Sequence, residues 1–203
     1  MSAHLPFYTC DTLANRALER EVRANPELPA GITVKTNFVG LAVLGANISL
    51  EYDIIPHLSV AIPVYYSGWD HFKETLKLRG LVIQPEIRYY IKGNDGFYGG
   101  AHFGMGYYNF ALGGEFRIQD HKGRTPALGG GVSIGYAHRF KKTRGLGLEF
   151  AIGGGAYKVS YDVLYNEPNG AYAEHGIEDL FIGVDNVSIS LTYTFPIKKE
   201  GRK

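Results

Sequence analysis

The stretch LVIQPEIRYY, Leu81 to Tyr90, splits by alternate residues into two chemically distinct faces. Leu81, Ile83, Pro85, Ile87 and Tyr89 fall on one; Val82, Gln84, Glu86, Arg88 and Tyr90 fall on the other. Strict alternation of this kind marks a β-strand. In a soluble sheet the charged face would meet water. In a membrane barrel the apolar face would meet lipid and the charges would line the lumen.

Seven further segments repeat the period: GITVKTNF (31–38), NISLEYDI (47–54), LSVAIPVYY (58–66), FYGGAHFGMGYYNF (97–110), ALGGGVSIGYAHRF (127–140), GLGLEFAIGGGAYKVSY (145–161) and NVSISLTYTF (186–195). Eight strands are expected. Most exceed the roughly five or six residues of a typical soluble strand and match the length of about 9–11 that crosses a bilayer at a tilt. The connections are lopsided. Short ones fall at 54–57, 91–95 and 140–145, and long ones at 67–77, 111–124 and 165–185. An up-and-down barrel with short periplasmic turns and long external loops has this asymmetry. The aromatics give two belts: Tyr65, Tyr66, Trp69, Tyr107, Tyr108, Phe110, Tyr157 and Tyr161 near the long-loop ends, and Tyr89, Phe97, Tyr136, Phe140, Tyr193 and Phe195 near the others. Interfacial rings are expected at both surfaces of a membrane.

Composition narrows the function classes. The 203 residues carry a formal charge of +1, which argues against nucleic acid as a partner, because phosphate binding needs a basic surface. Twenty-seven glycines and 13 % aromatics suit a β architecture with tight turns. Cys10 stands alone, so no intrachain disulfide is expected. No apolar run reaches the 18 or so residues of a membrane helix. The first thirty residues lack the apolar segment of a signal peptide; Asp11 as a cap, then Leu13, Ala17 and Val22, predict a short helix and a linker. The expected organisation is a periplasmic segment over 1–30, the barrel over 31–196 and a basic tail over 197–203.

VKTN in the first strand, LSVAIPVYYSGW, the Gln-Pro-Glu-x-Arg-Tyr core of LVIQPEIRYY and GGAHFGMGYYNF together resemble an uncharacterised family of small outer-membrane β-barrel proteins of Gram-negative bacteria, itself a domain of unknown function. The resemblance runs over about residues 32–195 and implies an outer-membrane location and an eight-strand barrel. The missing leader and PIKKEGRK beyond Phe195 depart from that pattern.

If the charges face inward, Lys35, Glu51, Asp53, Glu86, Arg88, His102 and Glu149 share a lumen that eight strands leave just wide enough to fill with side chains. Unpaired charges there are expensive, so Glu51, Glu86, Arg88, His102 and Glu149 are expected to form a structural network. Pairing Tyr90 with Tyr98 across the short turn places Arg88 opposite Gly100 and Glu86 opposite His102. Pro63 and Pro85 each remove a ladder donor, and a break is expected where they meet. The glycine runs 129–131 and 153–155 lack the strand-to-helix context and Lys-Ser/Thr of a phosphate loop; making room for large neighbours explains them better.

The apolar run 39–45, with Val39, Leu41, Val43 and Leu44, either continues the strands into a glycine turn or forms a lipid- or partner-contacting patch. His57, His71, His121 and His175 sit in turns and loops without ligand spacing, so no metal site is expected; no cofactor is expected either. A lipid-modifying barrel would need His beside Ser near one rim, and no such pattern is readable. The expectation is therefore a non-enzymatic barrel in the bacterial outer membrane, without a catalytic residue or small-molecule substrate. It would be a scaffold or subunit of an envelope complex, touching lipid and a protein partner. A lipid hydrolase or acyltransferase, and a soluble lipocalin-like carrier, are the alternatives.

Overall fold

A computed structural model describes residues 31–42, 45–55, 57–68, 75–91, 96–140, 143, 145–167 and 170–196. The segment 1–30, the tail 197–203, Val43, Leu44, Trp69 and His71 lie outside the described residues.

The fold is all-β and antiparallel. In chain order it comprises β1 (Gly31–Asn37), a helical turn α1 (Phe38–Ala42), β2 (Ala46–Ile55), β3 (Leu58–Ser67), β4 (Leu76–Ile83), β5 (Glu86–Tyr90), β6 (Phe97–Leu112), β7 (Phe116–Asp120), a 3-10 turn (His121–Gly123), β8 (Ala127–Arg139), β9 (Leu146–Tyr165) and β10 (Tyr172–Pro196). β1 to β4 pair in sequence, β5 pairs with β3 and β6, β7 and β8 each pair with β6 and β9, β9 pairs with β10, and β10 returns to pair with β1 over Gly31↔Pro196 to Asn37↔Ser190, closing the sheet into a ring.

Ten strands stand where eight were expected, for two physical reasons. The opening stretch is broken at Gln84–Pro85 into β4 and β5, both of which pair with β3 and with β6. Pro85 has no N–H to give the ladder. The Gln84 N–H donates to Pro63 O at 3.1 Å and the Phe103 N–H to Pro85 O at 3.0 Å, so pairing resumes on either side. The second reason is β7, which lies within the connection read as a loop over 111–124. It pairs with β6 and β9, the same two neighbours as β8, and the 3-10 turn that joins them packs on β9 through the Asp162 carboxylate.

The connection read over 165–185 is also mostly strand: β9 runs 20 residues and β10 runs 25. Their outer parts carry register shifts at Tyr172/Glu174, Glu174/Ile177 and Val184/Asn186, which reverse the alternation each time. In contrast, the first strands do not extend through 39–45, because α1 intervenes.

Burial is inverted relative to a soluble protein. Among the described residues, six apolar side chains are buried against nineteen polar or charged ones, whereas interiors ordinarily favour the apolar. Ile87 is 57 % exposed and Ile189 and Leu191 also face out, while Glu86, Arg88, Glu149 and Ser190 are buried.

Candidate functional site

The interior is organised around Arg88 of β5. Its Nε and Nη2 both lie 2.6 Å from Glu86 Oε2, and its Nη1 lies 3.0 Å from Glu51 Oε2 and 2.9 Å from Glu149 Oε1. The guanidinium also stacks 4.7 Å from the Tyr98 ring centroid. Lys35 bonds both Glu51 and Glu149. Hydroxyls take up the remaining acceptor capacity: Ser59 and Tyr90 donate to Glu51 at 2.6 and 2.8 Å, Tyr98 donates to Glu149 at 3.0 Å, and Ser133 donates to Glu86.

The alternation of each strand turns these residues to one face, and closure of the ring brings the faces together. Lys35 comes from β1, Glu51 from β2, Ser59 from β3, Glu86 and Arg88 from β5, Tyr98 from β6, Ser133 from β8 and Glu149 from β9. Glycines make the close approach possible. A Cβ at Gly100, opposite Arg88 in the register, would collide with Glu86 Oε1 and Ser133 Oγ. One at Gly135 would meet the Tyr98 ring. Charge-assisted contacts with saturated acceptors are what buried carboxylates require. Above this layer a cavity of about 20 Å³, lined in part by Lys35, Asn37, Tyr65, Arg88 and Glu149, has room for about one water.

His102 stands opposite Glu86 in the ladder, as expected, but its side chain does not join that network. Its Nε2 lies 2.7 Å from Asp185 Oδ2, which also accepts from the Tyr157 hydroxyl at 2.7 Å and from Gln84 Nε2 at 3.4 Å. The expected place of His102 in that network is thus corrected: Arg88 and Ser133 already occupy the Glu86 carboxylate, and His102 joins Tyr157 and Gln84 on Asp185 instead. Asp185 belongs to the part of β10 read as loop, which is why it was missed. His102 Nδ1 and Asp185 Oδ1 are buried with no hydrogen-bond partner among the described residues.

Val39 and Leu41, expected to share one patch, are placed differently. Val39 and Gly40 of α1 line a cavity of about 220 Å³ with Asn37, Tyr65, Gln84 and Asp185, whereas Leu41 is exposed. Two of the histidines read as loop residues without ligand spacing nevertheless meet in space. His121 in the 3-10 turn and His175 on β10 converge on Asp162 of β9, at 2.8 and 3.0 Å from its Oδ1. This group lies where β7, β9 and β10 extend past the last β8 pairing, Leu128↔Lys158. Burial alone would raise the Asp162 pKa, but the Lys122 amide, the His121 ring and the Gly176 amide hold it down at about 2. No spacing motif could have found the trio.

The molecule is therefore an all-β antiparallel ring with a charged interior and an apolar exterior. Residues 17–195 match the family described as "Protein of unknown function (DUF3575)", and the chain belongs to that family. No curated protein and no solved structure matches it.

Proposed function

We propose that the ring is a transmembrane β-barrel of the bacterial outer membrane, with a plugged lumen and a non-enzymatic role as scaffold or subunit of an envelope complex. Counting β4 with β5 and β7 with β8, which share neighbours, gives eight positions around the barrel. The observation that carries the reading is the inverted burial: an apolar outer face around a saturated network of Lys35, Glu51, Glu86, Arg88 and Glu149. Outward Ile48, Leu50, Ile87, Ile134 and Ile152 are each more than half exposed. In water such a surface would aggregate; in a bilayer it is the required solvent-facing side. Among the described residues no helix is long and apolar enough to cross a membrane, and strands need none.

A carrier of the lipocalin kind needs an apolar cavity, and the interior here is polar. In a His102–Asp185 hydrolase site a nucleophile would bond the second ring nitrogen of His102, and among the described residues none does. The vestibule beside α1 and the extended outer strands leave the rim as the surface for a protein partner.

Fractionation tests the reading. The protein is expected to resist carbonate and urea extraction of membranes, to need detergent for release, and to migrate faster on gels unheated than boiled. Recovery in the soluble fraction without detergent overturns it. Subunits retained through purification in mild detergent identify the partner, and a change in lipid A mass on deleting the protein would favour an enzyme instead.

A further inference from the structure

We propose that His121, Asp162 and His175 form a binding site for a first-row divalent transition ion of the Zn(II) kind at the outer end of the sheet. The site goes beyond the scaffold reading and stands independently of it, since it requires only the fold. The candidate ligand atoms all lie within 4.8 Å of one another. At the roughly 2.0–2.2 Å bond lengths of zinc with histidine and carboxylate, tetrahedral ligand atoms stand roughly 3.3–3.5 Å apart. The two Asp162 contacts, at 2.8 and 3.0 Å, need to open by roughly 0.3–0.7 Å. His175 is half exposed, with the His121 and Tyr172 rings against it.

The hydrogen bonding at Asp162 points to a cation. Its Oδ1 faces His121 Nδ1, His175 Nδ1 and the Gly176 amide, which donates at 2.8 Å. Three nitrogens converge on an oxygen with two lone pairs. The His121 and His175 rings stand 4.8 Å apart between centroids, so both present Nδ1 to the same oxygen. A metal ion seated between the two Nδ1 atoms and Oδ1 relieves the crowding: each ring takes its Nε2–H tautomer and binds through Nδ1, so neither has to donate to the crowded oxygen. Two imidazoles and one carboxylate suit zinc, copper, iron or nickel rather than calcium or magnesium, which prefer oxygen ligands.

The support around the ligands is already in place. Asp162 is 1 % exposed, and its Oδ2 accepts from the Lys122 amide at 2.9 Å. Lys122 and Gly176 present those amides from left-handed backbone, at φ 55° and 68°. Outer contacts of this kind orient a ligating carboxylate. Tyr172 packs edge-on to His175 at 5.0 Å. The ligands come from three separate elements, so an ion would clamp the 3-10 turn and β10 onto β9. With three protein ligands, one coordination position remains open to water or to a ligand atom of a partner.

The test uses the full chain in detergent, stripped with chelator and titrated calorimetrically with zinc chloride. Cobalt(II) serves as the spectroscopic probe. One ion per chain is expected at micromolar affinity or tighter, with a visible cobalt absorption that zinc abolishes. His121→Ala and His175→Ala should each weaken binding by about tenfold or more, and His138→Ala on β8 should not. Asp162 is left intact because it also holds the Lys122 and Gly176 amides. Circular dichroism of the variants confirms folding, which truncating the half-exposed His175 should not affect. Absence of binding to the wild type, or wild-type affinity and stoichiometry in either of the two variants, overturns the site.

Discussion

Arg88 Nη1 lies 2.9 Å from Glu149 Oε1, although β5 and β9 share no ladder contact. The contact crosses the interior of the ring. With Lys35 bridging Glu51 and Glu149, it ties together strands that backbone pairing alone would leave free to splay.

Formal charges make the network asymmetric. Glu51, Glu86 and Glu149 are three acids against two bases, Lys35 and Arg88. Arg88→Met leaves three carboxylates with one cation and should destabilise by about 3–5 kcal/mol. Glu149→Gln leaves two against two and should cost less. The double variant should fall short of the sum, since the residues share partners. Denaturant midpoints of the refolded proteins measure this; additive losses would show that the pair is not coupled.

The outer face offers a test of the bilayer reading that leaves the interior untouched. Ile87 neighbours Glu86 and Arg88 in sequence but points away from them. Ile87→Arg should cost about 2–4 kcal/mol when the barrel folds into vesicles with this position near mid-membrane. On a water-exposed sheet the same change would fall within about 0.5 kcal/mol. Folding yields in vesicles and in detergent separate the two outcomes.

How much of this was legible depended on local regularity. In Leu81 to Tyr90 the alternation is clean and the following turn short, so faces and register could both be read: Glu86↔His102, Arg88↔Gly100 and Tyr90↔Tyr98 are the pairs formed. Pro85 marked the break. The outer part of β10 was opaque because its register shifts and Gly176, at φ 68°, scramble the period of two. Asp185 was lost with it, and so was the true partner of His102. Residues 38–42 form a single helical turn, too short to leave a helical period. The His121–Asp162–His175 trio depends on contacts 41 and 13 residues apart, which no local pattern encodes.

Conduction provides a second test of the filled lumen. The Arg88 layer spans the interior, and the cavity above it has a volume of about 20 Å³, about that of one water. Planar bilayers containing the purified protein should show no stable open steps, as expected for a narrow eight-position barrel filled by side chains. Reproducible ion-selective steps would mean that a continuous water path exists.

Gly99 and Gly100 are adjacent in β6 and should respond oppositely to the same substitution. A Cβ at Gly99 meets nothing within 4 Å, whereas one at Gly100 runs into the Glu86 carboxylate and the Ser133 hydroxyl. Neither has the left-handed backbone that would penalise a side chain on its own. Gly99→Ala should therefore be neutral or stabilise by up to about 1 kcal/mol, through the lower chain entropy of alanine in a strand. Gly100→Ala must push Glu86 or Ser133 aside and loosen the Arg88 contacts, at about 1–3 kcal/mol. Combining Gly100→Ala with Arg88→Met should lose less than the two losses added, because part of the damage at Gly100 is damage to the Arg88–Glu86 pair. Equal effects at the two glycines, measured as denaturant midpoints, would mean that the strand does not separate an open outer face from a packed charged interior, and the orientation assigned to Glu86 and Arg88 would fall with it.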